Sequence, residues 1–390
     1  MLQQQAPLRI GIMLRSLDEK GGIGVYTRYI TEALLRLDGK NHYVLFYRNA
    51  ENLGRFARNP LVTERVIRGW GKAGWDQVGI PLACRRERID VLFHPKFTVP
   101  FAASCPVVMT VHGADWFIPE HARFYGRADV RYIRTVMPWY FRKAAAVLSV
   151  SQITTDDFNR ILKLPPGKVV TTYLAPGPQF RRVEDAAILA RARARYGLPE
   201  RFILTLSKAG GGERKNAAGI LQAFRLLHGT VPQRLVIGGK DCDRFRDTYG
   251  IPAAGWGAAI DFPGWIDQDD LPAVYSLADL YLYPSNLEAF PIPVTEAMAC
   301  GVPVVTSRTN GMQEIAGEGA VLVDPDDPAD IARGVRDILT EPERHARVAA
   351  AGLARVRQYS WDRCARETLA VLERVARPRH TRPGSAPIAD

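Results

Sequence analysis

Short apolar runs rich in β-branched residues recur along the chain without the in–out alternation of a half-exposed sheet, and most are followed by a stretch of helical period. Strands that read this way are covered on both faces, which is the condition of a parallel sheet wrapped by its own crossover helices. Strands are predicted at residues 8–14, 43–47, 90–93, 107–111 and 146–150, and in a second series at 202–206, 235–237, 280–283, 302–306 and 320–323. Between the first two, Val25, Tyr26, Tyr29, Ile30, Ala33, Leu34 and Leu37 fall on one helical stripe that stops before Gly39. A helix in the second series is predicted from Asn216, a residue suited to an N-cap, through Ile220, Leu221, Phe224 and Leu227 to Gly229. The sequence A-P-G-P at 175–178 breaks regular structure between the two series.

The expected fold is therefore α/β, with two Rossmann-like doubly wound parallel-sheet domains facing each other across a cleft. Their expected bounds are 1–180 and 181–360, followed by a C-terminal helix at 361–378 that packs back on the first domain and a flexible tail at 379–390. A chain of 390 residues with 47% hydrophobic residues has the length and apolar mass for two cores. No apolar run reaches the roughly 20 residues of a membrane span, and residues 1–6 lack the basic and apolar regions of a signal peptide. A cytoplasmic protein is expected. Cys84, Cys105, Cys242, Cys300 and Cys364 lie far apart without a C-x-x-C pair, which suits buried thiols and suggests no metal site.

Ligands of open parallel sheets bind beyond the carboxyl ends of the strands, so the loops after strands are where chemistry is sought. The most informative is S-N-L-E-A-F-P-I-P-V-T-E-A-M-A-C-G-V-P-V-V at 285–305, with Pro291 or Pro293 opening a short helix and Gly301 ending it. Glu288 falls in the loop and Glu296 about one turn inside the helix, whose free amides are expected to receive a diphosphate. Each carboxylate offers two acceptor oxygens to a pair of sugar hydroxyls. The competing reading makes Glu288 a helix cap and Glu296 part of a solvated face.

The pair Glu288 and Glu296, followed by A-M-A-C-G-V-P-V-V, resembles the E-x7-E signature of the retaining glycosyltransferases of the GT-B fold, family 4 (group 1), mannosyltransferases among them. Four further elements occur in the same order as in that family: G-G-I-G at 21–24, T-V-H at 110–112, R-K-N at 214–216 and Y-S-W at 359–361. The resemblance implies a hexosyltransferase that uses a nucleoside diphosphate sugar, GDP- or UDP-linked, and no further cofactor or metal. It implies that Glu288 faces the transferred hexose and Glu296 the ribose. Lys215, with Lys208 as its less secure partner and Arg214 as that residue's competitor, holds and stabilises the leaving diphosphate. Gly22, Trp265, Phe290, Pro291 and Ile292 complete the donor side, with core packing an equal alternative for Trp265. Lys20, Gly21, His112 and Asp115 are expected on the acceptor side, and His112 also against the transferred sugar.

Retaining hydrolases place a nucleophilic carboxylate about 5–5.5 Å from the acid. The resemblance implies instead a front-face reaction in which the departing diphosphate takes the acceptor proton and the lysines supply the electrostatic stabilisation. Two departures stand out: relatives often read E-G-F-G where this chain has E-A-F-P, and Asp where it has Gly113. Pro291 removes a backbone donor.

Residues 1–180 carry 25 basic and 14 acidic side chains, the whole net charge of +11, while residues 181–390 balance at 27 of each. Arg123, Arg127, Arg131 and Arg134 share one helical face near Phe124, Tyr125, Tyr132, Trp139 and Tyr140, which reads either as a membrane-surface stretch or as a solvated helical face over ordinary core aromatics. In this family's fold the first half takes the acceptor, so the charge points to an anionic or lipid-linked saccharide acceptor and to peripheral attachment on the inner face of an anionic membrane. Cell-surface polysaccharide or glycolipid assembly is the implied setting. Two other classes remain open at this point: a non-catalytic nucleotide-sugar-binding partner subunit of the same fold, and a basic membrane-surface or nucleic-acid-binding protein. No nucleic-acid motif is present, and none is expected as a partner.

Overall fold

A computed structural model describes residues 6–19, 21–69, 71–207 and 213–376. Their first sheet has seven parallel strands in the order β3-β2-β1-β4-β5-β6-β7. These are β1 (Arg9–Met13), β2 (His42–Tyr47), β3 (Val62–Val66), β4 (Val91–His94), β5 (Val107–Val111), β6 (Ala146–Ser149) and β7 (Val169–Thr171). The second has six parallel strands in the order β10-β9-β8-β11-β12-β13. Its strands are β8 (Phe202–Leu206), β9 (Arg234–Gly238), β10 (Ile260–Asp261), β11 (Leu280–Tyr283), β12 (Val304–Ser307) and β13 (Val321–Val323). The doubly wound α/β expectation holds, and every run read as a strand from its apolar pattern contains one. β3, β7 and β10 were not foreseen. All three are sheet edges, where one side of the strand meets no neighbour and a long apolar run is not required.

Seven helices matter for the site: α1 (Gly22–Leu37), α2 (Arg127–Lys143), α3 (Gln152–Leu162), α4 (Ala217–Leu227), α5 (Ile292–Ala299), α6 (Asn310–Ala316) and α7 (Trp361–Val375). Asn216 caps α4 as its side chain predicts, accepting the Gly219 N–H at 3.1 Å. The stripe read on α1 packs with Ile10, Ile12 and Leu45 of the first sheet except at its last residue, Leu37, which is exposed at the helix end, and α7 adds Cys364, Ala365 and Leu372 to that same core. Ser360 starts α7 by accepting the Arg363 N–H. Trp361, 8% exposed, lies with its ring 5.3 Å from that of Tyr29. Its indole N–H donates to the Pro176 carbonyl at 3.0 Å, in the A-P-G-P link between the sheets. One side chain thus joins the last helix, the first helix and the link.

The two domains also meet at the start of α3, which has no side-chain cap of its own. Its first amides, on Gln152 and Ile153, donate to the Glu314 carboxylate of α6 at 2.7 and 2.8 Å. A carboxylate from one domain therefore caps a helix of the other.

Removing the Trp361 ring leaves a cavity at this junction and orphans the Pro176 carbonyl. Trp361→Ala is expected to cost about 3–5 kcal/mol of stability, read from urea unfolding. A loss below about 1 kcal/mol would show that the junction carries little of the fold's stability.

Candidate active site between the two sheets

Three strand ends deliver the site. The chain leaving β1 reaches the start of α1 at Gly21 and Gly22; the chain leaving β8 returns as Arg214, Lys215 and Asn216 at the start of α4; the chain leaving β11 forms the Ser285–Phe290 loop before α5. Between them lies a cavity of about 410 Å³ lined by Gly21, Gly22, Lys215, Trp265, Ile292 and Glu296 among others. Its size is that of an ordinary small-molecule site. Lys20, Lys208 and residues 210–212 lie outside the described residues.

Lys215 directs its ammonium at the Leu206 carbonyl, 3.3 Å away, and over the Tyr283 ring at 5.5 Å. Glu296 is 6% exposed and so is no solvated helix face. Burial pushes its pKa up to about 8, against the hydrogen bond from Tyr275 and the attraction of Lys215. Trp265 does not pack into the core. It is 58% exposed and forms part of the cavity wall.

The amides of α5 are not free to receive an anion, contrary to the sequence expectation. Pro291 and Pro293 have no N–H, Ile292 donates to the Phe290 carbonyl, and Val294 donates to the Pro291 carbonyl. The prolines that open this helix also remove its donors. The uncapped first turn is that of α1, where Gly21 and Gly22 border the cavity and no side chain caps the sixteen-residue helix. An anion finds the positive end of α1 and Lys215 on opposite walls.

A second cluster adjoins the cavity. Glu288 pairs with Arg214 at 2.8 Å and accepts the Tyr283 hydroxyl at 2.7 Å. Arg214 also donates to the Leu287 carbonyl, and the carboxylate beside it holds its guanidinium firmly charged. Glu288 does not cap α5, whose N-cap is Pro291 without a side-chain bond. Asp115 and Glu288 face a void of about 10 Å³, the room of a single water.

Asp115 bears on one of the two departures. A Cβ built on Gly113 would lie 2.9 Å from Asp115 Oδ1 and 3.2 Å from its Cγ, so the Asp115 carboxyl fills the space a side chain at 113 would need. The Tyr125 hydroxyl donates to Asp115 Oδ2 at 2.8 Å. Burial raises the Asp115 pKa to about 6, with Glu288 acting in the same direction and Tyr125 and Arg214 against it. His112 presents Nε2 to the Pro95 carbonyl at 2.9 Å. A carbonyl partner requires the proton on that nitrogen, leaving Nδ1 as the acceptor of a neutral ring. Burial pushes its pKa down to about 4.

Phe290 stands apart from this arrangement. Its ring is 7% exposed and packs edge-on against Tyr359 at 5.6 Å, so only its backbone borders the loop. Sequence reasoning missed Tyr125, Tyr283 and Lys240. Lys240 lines the cavity beside Gly239. A Cβ on Gly239 (φ +139°) would meet the Ser207 carbonyl at 1.8 Å, so only glycine lets the β9 loop lie against the β8 loop. The G-G-K run directly after a predicted strand was the available signal.

The fold and this cleft define a GT-B glycosyltransferase. The sequence profile described as Glycosyl transferases group 1 matches residues 190–355, and that of Glycosyltransferase Family 4 matches residues 20–175. The chain belongs to this family. It is 28% identical over 295 residues to the O-antigen chain mannosyltransferase B of Escherichia coli, covering 73% of this chain and 74% of that protein. It is 33% identical over 298 residues to the GDP-mannose-dependent alpha-(1-6)-phosphatidylinositol monomannoside mannosyltransferase of Mycolicibacterium smegmatis, covering 70% and 74%. Among solved structures, sucrose-phosphate synthase of Thermosynechococcus elongatus superposes with a TM-score of 0.74 at 19% identity, covering 94% of this chain and 98% of that one. Among the described residues, no helix is long and apolar enough to cross a membrane.

Glu296 gives a pH signature. Its folded pKa lies above the ordinary 4.5, so between about 4.5 and 8 the native state holds a proton that the unfolded chain has released. The group's contribution to stability is present below that window and is lost as pH rises through it. Glu296→Gln should therefore gain stability relative to the parent between about pH 5 and pH 8, measured by urea unfolding at both values. A difference that stays flat or reverses would show that the carboxyl is not held protonated.

Proposed function

We propose that the chain is a retaining, metal-independent hexosyltransferase that moves mannose from GDP-mannose to a hydroxyl of a saccharide or lipid-linked acceptor in cell-surface polysaccharide or glycolipid assembly. The observation that carries this reading is a single cavity in which the start of α1, Lys215, Trp265 and Glu296 converge, with the Arg214–Glu288 pair at its side. Relatives whose names specify mannosyl transfer, one of them GDP-mannose-dependent, support the choice of donor.

In this reading the diphosphate lies between the amides of α1 and Lys215, which supply the positive charge that a metal would otherwise supply. Glu296 accepts ribose hydroxyls, and Trp265 offers an exposed ring to the base. Glu288 meets the hexose from a fixed position, since Arg214 and Tyr283 already orient its two oxygens. The sugar–diphosphate bond breaks as the acceptor oxygen attacks the same face, and the leaving phosphate oxygen takes the acceptor proton. No protein base is needed. Neutral His112 and Asp115 line the acceptor side, and the protein works as a peripheral component at an anionic inner membrane face.

Thermal unfolding with a panel of nucleotide sugars tests the donor. A ligand at 100 times its dissociation constant adds about 2.7 kcal/mol, and GDP-mannose is expected to stabilise the chain more than UDP-glucose does. Lys215→Ala should lower turnover by about 10²–10³, with an anomeric proton spectrum of the product showing retention in the parent enzyme. Full turnover by Lys215→Ala, or an inverted product, would sink the mechanism.

A further inference from the structure

The four arginines read as a helical face line one groove. It has a volume of about 810 Å³ and is walled by Arg123, Arg127, Arg131, Arg134, Tyr125 and Thr135 among others. Arg127, Arg131 and Arg134 stand at i, i+4 and i+7 on α2, and Arg123 comes from the turn just before it. All four are exposed. Among the described residues no ion pair engages any of them: Arg134 donates to the Trp116 carbonyl, and Arg123 lies 4.9 Å over the Phe124 ring. Like charges one turn apart repel, and among the described residues no ion pair offsets that repulsion. An anion in the groove would.

The groove adjoins the cleft. Tyr125 belongs to its wall, and the hydroxyl of the same residue holds Asp115, which faces Glu288. Arg123 also borders a second cavity of about 290 Å³ shared with Glu213, Asn216 and Asn286 of the other domain. A molecule seated on the arginines therefore lies against Tyr125, whose hydroxyl holds Asp115.

We propose that this groove is a phosphoryl-binding subsite for the acceptor: the attacked hydroxyl belongs to a molecule that also carries a phosphate ester, gripped by Arg127, Arg131 and Arg134 while its hydroxyl passes Tyr125 into the cleft. The inference rests on the glycosyl-transfer reading of that cleft. Guanidinium forks match the oxygens of a phosphoryl group in pairs, which a diffuse attraction to negative charge would not require. Tyr132 and Trp139, 58% and 57% exposed further round α2, offer apolar surface beside the groove to a lipid-borne phosphate. A soluble sugar phosphate would leave them unused.

The test uses the full chain with GDP at saturation, so that the donor cavity is filled, and hexyl phosphate as the probe in calorimetric titration. The parent is expected to bind hexyl phosphate. Arg127→Ala/Arg131→Ala should bind it about tenfold or more weakly, and Arg127→Lys/Arg131→Lys should fall between, keeping the charge but losing the fork. Equal affinity in the parent and the alanine pair, or no binding by the parent while GDP still stabilises it, would overturn the subsite. Absence of stabilisation by GDP would instead overturn the donor reading. A second arm uses phosphatidylglycerol vesicles. Vesicle binding displaced by hexyl phosphate identifies a lipid-borne phosphate, and hexyl phosphate binding without vesicle binding identifies a soluble one. Vesicle binding that hexyl phosphate does not displace and the alanine pair retains would also overturn the subsite, leaving surface attraction alone.

Discussion

Every strand in both sheets is parallel to its neighbours and most are buried on both faces, and from that constraint the rest of the molecule follows. A parallel strand must be followed by a crossover, the crossovers cover both faces, and all strand ends of one kind open on one edge. Two such edges turned towards each other make a cleft without any further device. Gly21, Lys215 and the Glu288 loop each follow a strand and meet there although they are distant in sequence. The site is a property of the topology before it is a property of any residue.

Within the cleft the charges divide into two compartments. Beside α1, Lys215 faces a Glu296 carboxyl that burial keeps protonated near neutral pH, so the cavity presents net positive character to an anion. Beside Asp115, the positive charge of Arg214 is already committed to Glu288. The first compartment suits a diphosphate, and the second suits neutral hydroxyls whose position matters more than their charge. The pair is only partly buried, but Arg214 and Tyr283 each hold one oxygen of Glu288, which fixes the geometry of the carboxylate that would meet the sugar.

The sequence made the sheets and their loops legible because buried parallel strands leave short apolar runs without in–out alternation. It hid β3, β7 and β10, since V-T-E-R-V at an edge carries Glu64 and Arg65 and β10 is two residues long. E-x7-E located Glu288 and Glu296, but not what they touch: Tyr283 and Tyr275 lie in apolar runs whose pattern says only that they are buried. Pro291 and Pro293 open α5, as their place in the sequence predicts, and their cost in amide donors is visible only in the hydrogen bonds of Ile292 and Val294. Gly113 looked like a missing acid. Three-dimensional space, which spacing along a chain does not encode, puts the Asp115 carboxyl where that side chain would stand.

The same cleft is tied shut by an interaction that spacing could never suggest. Glu314 caps α3 from across the domain boundary, and its own helix is bound to the loop that carries Glu288, because the Gly311 N–H donates to the Glu288 carbonyl at 3.0 Å. Arg355 and Tyr359 hold the other end of α6 through the Glu314 and Ile315 carbonyls. Separating the sheets at α3 must break two charge-assisted bonds, and moving α6 to preserve them must pull on the backbone of Glu288. A helix cap of this kind is worth about 0.5–2 kcal/mol. Domain position and the placement of the Glu288 loop are therefore not independent variables in this fold; one short helix, α6, carries both.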